Sequence, residues 1–245
     1  MLMLAFYLFP LAGLLVRAPG ALDIGRLGGE RVLAALRLSF IVSFLATAFS
    51  LLFGFPLAWV LARRPFPGKN LVRALVMLPM VLPPVVGGVA LLTAFGRRGL
   101  LGGVLERFGV GLPFSLAGAV TAAAFVASPF LVLTLEAGIR STDRRLEEAA
   151  ASLGASRWTV LRAVILPAIR PSLFAGAALA WARAVGEFGA TITFAGNLPG
   201  RTQTLPLAVY ETLQTDHEGA ILLSLLLLAV SLVVLALMRG KGAFR

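Results

Sequence analysis

Residues 220–238 form a run of nineteen without a single charge. As a helix rising 1.5 Å per residue it would reach about 28 Å, close to the hydrocarbon thickness of a bilayer. Inside lipid, a backbone must satisfy its own hydrogen bonds, which leaves an α-helix or a closed barrel. Barrel strands alternate apolar and polar residues, and this run does not. The chain is therefore expected to be an all-α integral membrane protein.

Five further apolar segments, 1–16, 38–62, 71–95, 112–138 and 172–194, extend the pattern to six expected transmembrane helices. The composition agrees: 59% of residues are hydrophobic and 13% charged. The first segment is short and holds Pro10, but Met1-Leu2-Met3-Leu4 lacks the basic region of a signal peptide, so it is read as a true span. No internal repeat is visible, and residues 1–245 read as a single transmembrane domain with no separate soluble or regulatory domain.

A formal charge of +11 would suggest nucleic acid in a soluble protein. Here the basic residues flank apolar segments, where they set orientation, and no nucleic-acid partner is expected. With the amino terminus inside, the cytoplasmic flanks carry Arg63, Arg64, Lys69 and Arg73, then Arg140, Arg144, Arg145, Arg157, Arg162 and Arg170, then Arg239, Lys241 and Arg245. The outer flanks carry fewer: Arg17, Arg26, Arg31, Arg37, Arg97, Arg98, Arg107 and Arg201. The bias places both termini and residues 139–171 in the cytoplasm, with the protein multi-pass in a cell (inner) membrane and lipid around it.

The absence of cysteine excludes disulfides and thiolate chemistry. His217, read as a solvated loop residue, has no second histidine with which to share a metal, so no metal site is expected. Glu187 is the one acid read as lying deep in a span. No catalytic cluster follows, and the chain is not expected to be an enzyme.

The segment 141–167 is a charged island between apolar spans. Ser141 or Thr142 can cap a helix whose early turns hold Asp143, Glu147 and Glu148, where the helix dipole favours acids. Leu146, Ala149 or Ala150, and Leu153 then recur on one narrow apolar face. Gly154 stops this helix, Ser156 can cap another, and Pro167 and Pro171 punctuate the return to the membrane, Pro171 suiting a first helical turn. Such a helix could lie on lipid headgroups. Its acids and its alanine face suit a protein groove as well.

Two features mark the spans themselves. Arg183 stands about 18 Å beyond Pro171 by helical rise, with Glu187 one helical turn further on. They form either a self-neutralising pair that fixes packing or a positive site on an anion pathway. Thr191 and Thr193 offer hydroxyls nearby. Pro79, Pro83 and Pro84 interrupt the third segment, either as a kink or as a broken helix lining a pathway. Gly87, Gly88 and the run Ala175-Gly176-Ala177-Ala178 would admit another backbone closely.

The island carries a resemblance. Glu148-Ala149-Ala150, three residues, Gly154, nine residues, and Val164-Ile165-Leu166-Pro167 is similar to the cytoplasmic signature loop of ABC importer permeases, with Val164 in place of the usual isoleucine. The resemblance implies the type I permease fold. In it a coupling helix between the fourth and fifth spans, here around Glu147, Glu148, Ala149, Ala150, Leu153, Gly154 and Pro167, seats on a separate ATPase. It also implies a homodimer, two cytoplasmic ATPase subunits and an extracytoplasmic binding protein. The chain shows no phosphate-binding loop: Pro67-Gly68-Lys69-Asn70 lacks the first glycine and the hydroxyl. No cofactor is expected on this chain, with ATP and Mg²⁺ bound by the partner.

A second resemblance covers about residues 31–238. Phe66-Pro67-Gly68-Lys69, Leu78-Pro79-Met80-Val81-Leu82-Pro83-Pro84, Gly186-Glu187-Phe188-Gly189-Ala190-Thr191-Ile192-Thr193-Phe194 and Asn197-Leu198-Pro199-Gly200 look like the molybdate permease family. It implies molybdate or tungstate as cargo, with Arg183, Glu187, Thr191, Thr193, Pro83 and Pro84 as pathway residues. Sulfate permeases are the alternative, usually with tyrosine where Phe188 stands. A secondary transporter would share intramembrane charges and broken helices but would not need the signature loop.

Overall fold

The computed structural model describes residues 1–21 and 29–240, and among these the regular structure is entirely helical. Arg26, Lys241 and Arg245, which entered the charge bias, lie outside the described residues, as does the side chain of Arg239. In chain order the helices are α1 (Leu2–Ala21), α2 (Glu30–Arg63), α3 (Lys69–Val81), α4 (Pro84–Phe95), α5 (Gly102–Arg107), α6 (Leu116–Ser141) and α7 (Arg144–Ser152). They continue with α8 (Arg157–Val185), α9 (Gly189–Phe194), α10 (Leu205–Leu213) and α11 (His217–Gly240). Four of them, α2, α6, α8 and α11, are long and apolar enough to cross a membrane. The pair α3–α4, bent by 119°, makes a fifth span if its halves are taken together.

These outcomes refine the expected six. The apolar part of α1, Leu2–Arg17, is shorter than a span of about 20 residues and lies against α11, with Leu14 on Ile221 and Leu222. The expected segment 172–194 is not one helix. α8 starts at Arg157, runs through Pro171 and ends at Val185; Gly186, Glu187 and Phe188 then break the chain before α9. Pro171 therefore sits inside a helix, not in a first turn. A π-turn at Leu161–Ile165, with the Leu166 N–H reaching back to Leu161 O, widens the helix just before Pro167, whose ring and missing N–H would disrupt a regular turn. Likewise Pro79 is accommodated within α3, and the break falls at Leu82 and Pro83. His217 is an exposed first residue of α11 and not a loop residue.

α6 is the central helix. Its alanines, Ala119, Ala123, Ala124 and Ala127, and its larger residues Leu131, Leu135 and Ile139 are buried against α2 and α8. Lipid offers helices no hydrophobic drive to associate, so small residues that permit close van der Waals packing carry much of the cohesion. α2 presents a matching stripe of Ser39, Ser43, Thr47 and Ser50. The hydroxyls of Ser43, Thr47 and Ser50 donate back to carbonyls of their own helix, Thr47 to Ser43 O at 2.7 Å, so the stripe is small and internally satisfied. Gly176 fulfils its expected part, since a Cβ there would lie 3.3 Å from the Leu131 carbonyl of α6.

Helix direction gathers the functional segments at opposite ends. α2 and α6 both finish at the end where α3 and α8 begin, because Arg63 at the close of α2 bonds Thr142 just beyond α6. At the other end, the Phe114 N–H faces Phe194 O at 3.4 Å, and the Leu205 N–H donates to Ser39 Oγ at 2.7 Å.

Candidate coupling surface and translocation pathway

α7 is built by local chemistry. Its cap is Asp143, whose carboxylate accepts the Arg145 N–H at 2.9 Å; Ser141 ends α6 and Thr142 follows it, so neither serves as the cap expected from sequence. At the far end, the Ala155 N–H bonds Ala150 O and the Gly154 N–H bonds Ala151 O, the paired reversal of a Schellman ending. Gly154 has φ +85°, the left-handed region, while the space around its missing Cβ is open. Ser156 then caps α8, accepting the Thr159 N–H at 3.1 Å.

The choice between Ala149 and Ala150 resolves into two faces. Ala150 and Ala155 pack inward on the core. Leu146 (56% exposed), Ala149 and Leu153 (89% exposed) face away from the bundle, giving an apolar strip left uncovered by the described residues. Glu147 turns the other way and forms an ion pair with Arg63, whose guanidinium also donates to Thr142 Oγ1 at 2.6 Å. Arg144 Nη2 donates to Arg63 O at 3.0 Å. The island is thus clamped to the end of α2. Glu148 is exposed, and Pro167 lies in the first turn after the π-turn.

Arg183 lies in the last turn of α8, where a cation complements the carboxyl-terminal end of the dipole, and so stands nearer the far end of the span than its middle. Its Nη2 is 2.7 Å from Glu187 Oε2, an ionic contact without hydrogen-bond alignment. Glu187 Oε1 accepts the Ala190 N–H at 2.8 Å and so holds the entry to α9. The acid is almost wholly buried, while the arginine side chain is 29% exposed. Thr191 is 1% exposed, and Thr193 spends its hydroxyl on Gly189 O at 2.8 Å. Beyond α9, Gln203 Nε2 bridges Asn197 Oδ1 (3.0 Å) and Glu211 Oε2 (2.6 Å), closing the loop of residues 195–204.

Pro83 and Pro84 stand at the start of α4, which turns sharply away from α3 and packs on α9. The close approach expected of the glycines occurs at Gly88, where a Cβ would lie 2.5 Å from Thr193 Cβ and 3.0 Å from Ala190 O. The structure also adds a cluster that sequence reasoning missed. Glu136, 4% exposed on α6, pairs with Arg73 of α3 through both guanidinium and carboxylate edges, and Arg140 Nε approaches the same carboxylate at 3.7 Å. Glu187 is therefore not the one deeply placed acid. The available signal was Glu136 itself, an acid closing the apolar run Leu131-Val132-Leu133-Thr134-Leu135.

A multi-pass helical bundle with an exposed, clamped helix at one end and a buried ion pair toward the other is the form of a membrane permease. The chain belongs to the family described as binding-protein-dependent transport system inner membrane component, whose model matches residues 52–240. It is 46% identical over 204 residues to the molybdenum transport system permease protein ModB of Escherichia coli (strain K12), covering 82% of this chain and 89% of the relative. The protein of the same name from Mycobacterium tuberculosis (strain ATCC 25618 / H37Rv) is 47% identical over 209 residues, covering 85% of this chain and 78% of the relative. The sulfate transport system permease protein CysT of Escherichia coli (strain K12) is 37% identical over 206 residues, covering 84% and 74%. Among solved structures, a bacterial alginate ABC transporter in complex with its alginate-bound periplasmic protein matches with TM-score 0.75 at 20% identity, covering 98% of this chain and 89% of that one. The MetNI methionine ABC transporter matches with TM-score 0.66 at 18% identity, covering 89% and 100%. These structures share the fold.

Proposed function

We propose that this chain is the membrane subunit of an ATP-driven oxyanion importer whose cargo is molybdate, with tungstate as its close mimic. The observation that carries the reading is graded similarity: relatives named as molybdenum permeases are 42–47% identical, those named for sulfate 36–37%. Sulfate is the second reading for the same reason.

In this proposal six spans, α1 and the α3–α4 pair included, surround a pathway at the interface of a homodimer, with both termini in the cytoplasm. The strip Leu146, Ala149 and Leu153, with Glu148 and Gly154 beside it, is the coupling surface for one of two ATPase subunits. These bind ATP and Mg²⁺, and this chain holds no cofactor and performs no hydrolysis. A binding protein delivers the anion at the opposite end. Arg183 lends positive potential there, while Glu187 holds the guanidinium and the α9 turn in register, so the pair serves packing and pathway at once. Pro83 and Pro84 break a helix beside that pathway. ATP-driven closure of the ATPases moves α7, and the bundle switches between inward and outward states that ligands bias.

Uptake by proteoliposomes holding the permease, its ATPase and its binding protein tests the assignment. ATP-dependent molybdate accumulation, resisting a hundredfold excess of sulfate, is expected. Accumulation of sulfate with no response to molybdate would transfer the protein to the second reading.

A further inference from the structure

At the end of the bundle that carries α7, a cavity of about 600 Å³ opens between the close of α2 and the start of α8. It belongs to neither the outward strip of α7 nor the Arg183 region. Phe55, Trp59, Leu161 and Ile165 give it apolar walls. Two arginines, Arg64 and Arg157, stand at its polar edge; both are exposed and neither guanidinium has an ion-pair or hydrogen-bond partner among the described residues. The acid in its lining, Glu147, is already neutralised by Arg63. The cavity is thus greasy within and carries unbalanced positive charge at the rim.

We propose that this cavity is a binding site for an anionic phospholipid, with an acyl chain against the apolar walls and the phosphate between Arg64 and Arg157. Depth supports this occupant over a soluble one. Trp59 followed by Arg63 and Arg64 is the succession found where a helix leaves hydrocarbon for headgroups. Basic pockets between membrane helices on that side suit acidic headgroups. Glu147 and Ala151, which line the cavity, lie on the side of α7 roughly opposite Leu146 and Ala149, so a protein docked on the exposed strip leaves the cavity open to the bilayer. A lipid seated there would touch α2, α7 and α8 together and tie the state of the coupling segment to membrane composition.

The site rests on reading this end of the bundle as a membrane interface, and not on the identity of the cargo. Its test uses the complex of permease and ATPase in nanodiscs, where each lipid occupies both leaflets and orientation is immaterial. Trp158→Phe and Trp181→Phe leave Trp59 as the remaining one of three tryptophans. Brominated phosphatidylglycerol is expected to quench Trp59 at least about twofold more than brominated phosphatidylcholine, and Arg64→Gln with Arg157→Gln should erase the difference. Equal quenching by the two lipids, a preference that survives both substitutions, or a Trp59 that neither lipid reaches because a protein chain fills the cavity would each overturn the site. Should the tryptophan variants misfold, delipidated wild-type complex re-equilibrated with an equimolar mixture of the two lipids gives the same comparison by mass spectrometry of retained lipid. Transport is not read in either measurement, so a wrong cargo assignment changes neither result.

Discussion

At the scale of single residues, Gly154 and Glu136 show two ways in which one side chain can govern a helix end. Gly154 holds φ +85° with nothing near its missing Cβ, so its substitution costs conformation and not space. A side chain in the left-handed region costs about 1–2 kcal/mol, less for asparagine, which visits it readily. Gly154→Asn should therefore retain most transport, whereas Gly154→Val should lower both the thermal midpoint of the purified permease and the uptake rate. Equal behaviour of the two variants would mean that the position acts through bulk at the docking face and not through backbone conformation. Glu136 is different, because its work is done across the fold. No residue of α3 is fully buried, Val72 and Val76 being half-buried against the core, and the Arg73–Glu136 pair is its polar tether to α6. Arg73→Ala and Glu136→Ala should each destabilise the complex, and the double variant should be little worse than the single ones. Simple additivity in thermal denaturation would show that the two side chains do not act as a pair.

Among elements, α4 and α9 meet closely at a glycine, a Cβ on Gly88 lying 2.5 Å from Thr193 Cβ. Gly88→Ala would bring its Cβ against Thr193 and the Ala190 carbonyl, and overpacking of that kind costs about 1–3 kcal/mol. Thr193→Gly on the same chain should restore part of the loss, measured as melting temperature and as uptake, because it removes the side-chain atoms that the added methyl would meet. No recovery would place the strain on the backbone of α9. How far these elements could be read in advance depends on what each signal measures. Hydropathy located the long helices, since a lipid-exposed run must be apolar whatever it packs against. It missed the break at Gly186-Glu187-Phe188, because a long helix followed by a short one in the same medium looks as apolar as a single helix. Cap chemistry found Gly154 and Ser156, whose roles are local, yet chose Ser141 or Thr142 over Asp143 because α6 runs on to Ser141 and consumes them. Arg73 was read as a flanking charge because its partner is 63 residues away, and no local period links such positions. The exposed strip of α7 was legible in the sequence, while the turning of Glu147 toward Arg63 needed the end of α2 to be in place.

On the scale of the whole molecule, the proposed coupling role implies a force path with separable parts. In the proposed assembly the strip of Leu146, Ala149 and Leu153 adheres to the ATPase, while Glu147–Arg63 and Arg144 to Arg63 O fasten α7 to α2, which packs on the central α6 and on α8. Adhesion and transmission should therefore fail independently. Ala149→Arg places a charge on an exposed position, so the permease should fold and keep its melting temperature while losing the ATPase on copurification. Glu147→Ala leaves the strip intact but removes the ion-pair partner of Arg63, whose side chain is 10% exposed and keeps only its contacts with Thr142. Losing a charge-assisted contact at such a site costs about 1–3 kcal/mol, equivalent to roughly 5-fold to 150-fold in the population of the clamped arrangement. That variant should keep its ATPase bound and show ATP hydrolysis no longer stimulated by the loaded binding protein. Loss of the ATPase from Glu147→Ala, with stimulation preserved in Ala149→Arg, would reverse the two roles and require the ATPase to grip the α2 side of α7.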